Sequence, residues 1–159
     1  MNHLIVFENL DANENHVLID AIQKHDNDFA KQLIDGVDDL NRTYNYSNTD
    51  GWTLLLVAVY NNNLEILKYL ISKGVNLNIK KEGVGWTPLM YAANYQLLDV
   101  MRELIKAGAN WNVLALGEDF LSIMKDRTFG KKAREIIIEE FPKQYRLYLA
   151  KKRSRKFNM

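Results

Sequence analysis

The chain has 159 residues, 47% of them apolar, with 21 Lys and Arg against 20 Asp and Glu and no cysteine. That length suits one domain with a sizeable core, and the missing cysteine excludes disulfides, thiolate nucleophiles and zinc–thiolate sites while fitting a reducing compartment. The formal charge of +1 hides a gradient: residues 1–50 hold ten acidic and three basic residues, 51–124 six of each, and 125–159 four acidic and twelve basic, giving −7, 0 and +8.

In chain order, residues 1–15 read as an N-terminal extension. Met1-Asn2-His3-Leu4-Ile5-Val6-Phe7-Glu8 has four apolar residues in a row and no basic leader, too little for a secretory signal or a membrane span, so a soluble, cytoplasmic protein is expected. Residues 16–49 predict a first, diverged helical pair. The clearest segments follow: Gly51-Trp52-Thr53-Leu54-Leu55 through Asn78 recurs 34 residues later as Gly85-Trp86-Thr87-Pro88-Leu89 through Asn112. Such a period signals stacked repeats, here 50–83 and 84–116. In each, a Thr hydroxyl caps a short helix (Thr53, Thr87), and Pro88 presets the first turn of the second copy. Leu64, Ile66, Leu67, Leu70 and Ile71, then Val100, Met101, Leu104 and Ile105, supply the apolar stripe of the following helix, which Gly74 and Gly108 end.

The flanks are weaker copies. A shift of 37 lays Leu18-Ile19-Asp20-Ala21-Ile22 on Leu55-Leu56-Val57-Ala58-Val59 and Asn41 on Asn78; a shift of 32 lays Gly117 on Gly85 and Leu121 on Leu89, giving a closing repeat over 117–141. Pro142 interrupts the chain, and 142–159 read as a basic C-terminal helix or tail. Its run Lys151, Lys152, Arg153, Arg155 and Lys156 can contact phosphate or serve as a nuclear import signal; a disordered end is the plainer reading.

These blocks resemble the ankyrin repeat. The likeness rests on Asp50-Gly51-Trp52-Thr53, on Gly85-Trp86-Thr87-Pro88-Leu89-Met90-Tyr91-Ala92-Ala93, and on Lys106-Ala107-Gly108-Ala109-Asn110-Trp111-Asn112. It implies an all-α solenoid of about four repeats over residues 16–141, with capping terminal repeats. Departures are Leu54 for Pro, Leu56 and Met90 for His, and Asn62 and Gln96 for the Gly between helices. Asn tolerates a left-handed backbone better than Gln, so the bend of the third repeat is expected to differ.

Carried over position by position, the resemblance implies partner contacts at Trp52, Val57, Tyr60 and Asn61 and at Trp86, Tyr91, Asn94 and Tyr95. The loop residues Tyr44, Tyr46 and Trp111 extend the strip. In the outer repeats the same mapping gives Asp20, Gln23, Lys24, Glu118, Ile123, Asp126 and Arg127. Tyr and Trp are enriched anchors of protein interfaces; the competing reading is that these rings fill the groove by packing across repeats.

No catalytic constellation is visible. His3, His16 and His25 lack metal-like spacing, Gly83-Val84-Gly85 lacks the rest of a nucleotide-binding fingerprint, and Glu139 and Glu140 diverge on a helix. No enzyme, metal or cofactor is expected. The resemblance implies a protein-binding module, monomeric when free, whose partner is another protein; membranes and nucleic acid are not the expected partners. Small free-standing ankyrin proteins resemble stoichiometric inhibitors, including immunity or antidote proteins that occlude a toxin, and the acidic first third suits a basic, nucleic-acid-handling target. A eukaryotic or viral scaffold or adaptor, and nucleic-acid contact through the tail, are the alternatives.

Overall fold

A computed structural model describes residues 12–123 and 127–157. Helices pair along the chain: α1 (Ala12–Gln23) with α2 (Asn27–Asp35), α3 (Leu54–Tyr60) with α4 (Leu64–Ser72), and α5 (Pro88–Asn94) with α6 (Leu98–Lys106). A short α7 (Phe120–Ile123), a longer α8 (Arg127–Glu140) and α9 (Pro142–Phe157) follow. The first helices α1, α3, α5 and α7 form one row and the second helices α2, α4 and α6 another. Residues 12–15, placed by sequence in an extension, belong to α1.

Local chemistry explains the pairs. Thr53 and Thr87 accept from the backbone N–H of Leu56 and Met90, as N-caps do. Three bends between paired helices are alike, because His25, Asn62 and Gln96 all stand in the left-handed region, at φ 59°, 51° and 61°. In each, the N–H just beyond (Asp26, Asn63, Leu97) donates to the carbonyl of an alanine (Ala21, Ala58, Ala92) at 3.0, 2.8 and 2.9 Å. The third bend therefore does not differ: this shared hydrogen bond closes the turn whether His, Asn or Gln sits there.

The loop before α3 forms a hairpin of β1 (Tyr44–Tyr46) and β2 (Thr49–Trp52). Ser47 and Asn48 at φ 54° and 59° make its tip a type I′ turn, the hand that matches strand twist. Leu116 and Gly117, at φ 53° and 80°, repeat that geometry between Ala115 and Glu118.

Consecutive turns behind the second helices are stitched by asparagine. Asn41 Oδ1 accepts from the N–H of Asn76 at 2.7 Å, and Asn78 Oδ1 from that of Asn110 at 2.8 Å. The equivalent oxygen of Asn112 is buried and meets no donor among the described residues. Along the second helices, Asp35–Lys73, Lys31–Glu65, Lys68–Glu103 and Arg102–Glu140 pair one repeat with the next. Being exposed or half-exposed, each contributes little on its own.

Candidate interaction surface

Helix α3 buries all of Leu54–Val59. Beside it, seven ring contacts run without a break across the second and third repeats. Tyr46 meets Trp52 at 5.2 Å and Tyr60 at 5.8 Å; Trp52 meets Tyr60 at 5.2 Å and Tyr91 at 5.6 Å. Tyr91 continues to Trp86 at 5.3 Å and Tyr95 at 6.0 Å, and Tyr60 meets Tyr95 at 5.4 Å. Most are edge-on, the arrangement that ring quadrupoles favour.

Trp52 is clamped at the centre. Its Nε1 donates to Thr49 Oγ1 at 2.8 Å, and the ammonium of Lys81 lies 5.5 Å from its ring. Lys81 is itself buried, donating to the carbonyls of Asp50 at 2.7 Å and Glu82 at 3.1 Å, so it ties one loop to the next. Sequence reasoning missed it, because Lys80-Lys81-Glu82 reads as a solvated charge run.

The sequence-derived residues thus divide. Val57, with 0% exposure, belongs to the core, and Trp52, Tyr44, Tyr46 and Tyr91 are buried too. The carry-over assumed an open groove, whereas here the aromatic rings themselves cover the first helices. Tyr44 is held by Arg42, whose Nε donates to its hydroxyl at 2.7 Å. Trp111 leaves the strip altogether: it packs on Phe120 at 5.4 Å and on Tyr148 of α9 at 6.2 Å. Asn61 is half-buried and bridges, donating from Nδ2 to the Tyr46 hydroxyl at 3.0 Å and the Val57 carbonyl at 2.9 Å. What remains outward is Tyr60 at 40% exposure, Tyr95 at 43%, Asn94 and part of Trp86. In the outer repeats Ile123 is buried, Asp20 pairs with Lys24, and Asp126 and the side chain of Arg127 lie outside the described residues, as does His3.

Burial pushes the Tyr91 hydroxyl up to about 12, with Tyr95 and Tyr60 adding to it; Tyr95 moves the same way, burial first. Tyr91 and Tyr95 therefore carry no charge at neutral pH, and the Tyr95 hydroxyl is hydrogen-bonded to that of Tyr60. Asp50, Glu82 and Glu118 stand exposed on the adjoining loops. At the N-terminal end, α1 (His16, Val17, Asp20) and the hairpin (Asn45, Tyr46, Asn48) frame a groove of about 540 Å³. At the other end the Leu116 tip is 90% exposed. Neither was read from the sequence; the latter is signalled by Leu preceding Gly117 in a turn.

A family model for ankyrin repeats, in three copies, matches residues 18–115. The chain belongs to the ankyrin repeat family. The match begins within α1, runs through α6 and stops before α7. No curated protein matches the chain in sequence. The ankyrin repeat is a non-catalytic interaction module, so this chain is built to bind another protein. No described helix is long and apolar enough to cross a membrane. Among the described residues no group of three His, Cys, Asp or Glu gathers as metal ligands.

Proposed function

We propose that the chain is a stoichiometric inhibitor of another protein, most concretely an immunity or antidote protein that occludes a cognate toxin or effector. The supporting observation is the aromatic strip, whose buried members Trp52 and Tyr91 hold Tyr60 and Tyr95 rigidly at the surface. Rigid aromatic edges bury area on binding at low entropic cost. The exposed carboxylates of Asp50, Glu82 and Glu118 beside them favour a partner with a basic face, and Leu116 offers an apolar tip at the far end. Inhibition would be by coverage, with no turnover.

The test is capture from the source cell with the wild-type chain and a Tyr60→Ala/Tyr95→Ala variant. One protein retained stoichiometrically by the wild type, and lost by a variant that melts at nearly the same temperature, supports the reading; its activity is then assayed with and without the chain. Retention by both, or a captured protein whose activity is unaffected, removes it. Trp86→Ala/Tyr91→Ala is a poorer choice, since Tyr91 is core.

A further inference from the structure

Residues 141–159 hold seven Lys and Arg and no Asp or Glu. Most of this segment is the helix α9, whose two faces do different work. Inward, the Tyr148 hydroxyl donates to Asp119 Oδ2 at 2.6 Å, Lys152 Nζ reaches the same oxygen at 3.2 Å, and Arg155 donates to the carbonyl of Asn112 at 2.7 Å. Phe141 and Tyr148 are buried beside them. Two cations that the sequence offered for phosphate contact, Lys152 and Arg155, are thus engaged in docking the helix, and the side chain of Lys156 lies outside the described residues.

Outward stand Lys143, Arg146 and Arg153, all exposed, with Lys151 at the edge of this face beside the groove lined by Trp111 and Tyr148, and none of the four forms an ion pair among the described residues. At 3.6 residues per turn, Lys143, Arg146 and Arg153 fall within an arc of about 80°, and Lys151 lies about 80° beyond Lys143, across Leu147. From Lys143 to Arg153 the stripe rises about 15 Å along the axis.

We propose that this outward face of α9 is a second binding surface, separate from the aromatic strip, that takes the phosphate backbone of nucleic acid. One strand of duplex presents a phosphate every ~3.4 Å of axis, so a 15 Å stripe faces about four of them, enough to engage each of the three cations of the arc. Held on a docked helix, these charges bind without the ordering cost that a disordered tail incurs. A protein partner fits less well: the only large apolar side chain on this face is Leu147, 56% exposed, and there is no aromatic anchor. A membrane surface also fits less well, because an interfacial helix buries a continuous apolar stripe, which α9 spends on its own repeats. The acidic N-terminal third lies at the other end of the repeat order and repels phosphate, so it orients the approach.

The experiment is a fluorescence-anisotropy titration of a 20-base-pair DNA duplex and a 20-nucleotide RNA with the full chain, from 50 to 300 mM salt. The expected result is saturable binding to at least one probe. Three phosphate contacts give log K against log salt a slope of about −2.7 on duplex, and Arg146→Gln/Arg153→Gln brings it to about −0.9. Tyr60→Ala/Tyr95→Ala should leave it unchanged, which keeps this surface distinct from the protein-binding strip. Lys143→Gln/Arg146→Gln repeats the test should the first pair lower the melting temperature. The proposal is overturned by absence of binding to either probe at 50 mM salt, whether or not phosphatidylserine vesicles titrated in parallel bind, or by an unchanged slope in the helix variants.

Discussion

Asn63 satisfies groups in two repeats at once. Its Oδ1 caps α4 by accepting from Ile66 N–H at 3.1 Å, while Nδ2 donates to the Ile22 carbonyl at 2.9 Å and to Asn27 Oδ1 at 2.8 Å. The equivalent positions in the neighbouring repeats, Asp26 and Leu97, make no side-chain cap. Asn63→Ala should lower unfolding free energy by about 1–2 kcal/mol in a denaturant titration, from the lost cap and the lost amide bonds to Ile22 and Asn27. Leu116 carries the opposite balance, an L-residue at φ 53° with its side chain in solvent. Leu116→Asn creates Asn-Gly, the dipeptide type I′ turns favour, and should raise stability by about 1 kcal/mol while weakening the captured partner. Unchanged affinity would show that the tip makes no contact. Tyr91 gives a pH test. Its hydroxyl titrates near 10 unfolded and about 12 folded, so its contribution is complete below pH 10 and lost as pH rises towards 12. Tyr91→Phe should match the wild type in melting temperature at pH 7 and fall less between pH 10 and 12.

Helix α9 is fastened in part through one carboxylate. Asp119 caps α7 by accepting from Ser122 N–H at 2.9 Å, and its other oxygen receives Tyr148 and Lys152. Burial pushes this carboxyl up, but the hydrogen bonds from Tyr148, Ser122 and Lys152 outweigh it and hold it below the usual range. The resulting stability is present above the ordinary aspartate pKa and is lost as pH falls through the lowered one. Asp119→Asn keeps a capping oxygen but loses the charge, and should cost about 1–2 kcal/mol at pH 7, with the difference from wild type vanishing in acid melts. Both central helix pairs were legible in the sequence because Thr caps, Pro88 and apolar spacing act within a few residues. The burial of Val57 and Trp52 was not, since it depends on rings from two repeats closing over them. Asp119 had a readable signal: it occupies the place that Thr53 and Thr87 hold in the preceding repeats. Tyr44 and Tyr46 were expected in a loop, and the hairpin they form followed from Ser47 and Asn48 adopting the left-handed region together.

At the scale of the molecule, stability in such stacks is a sum of repeats and their interfaces. Removing residues 51–84 would bring Asn110 to the place of Asn76, opposite Asn41, and leave the same kind of stitch. The shortened chain should still melt cooperatively by circular dichroism, at a lower temperature; a non-cooperative melt would show that the aromatic strip, and not the stitching, holds the repeats together. The asparagine series is also directional. Each rung offers an oxygen forward to the next turn, and at Asn112 that oxygen meets no donor among the described residues, where Arg155 of α9 docks on the Asn112 carbonyl instead. Duplicating an interior unit of the gene would therefore keep every stitch in register, whereas a unit inserted after Asn112 would have to displace α9.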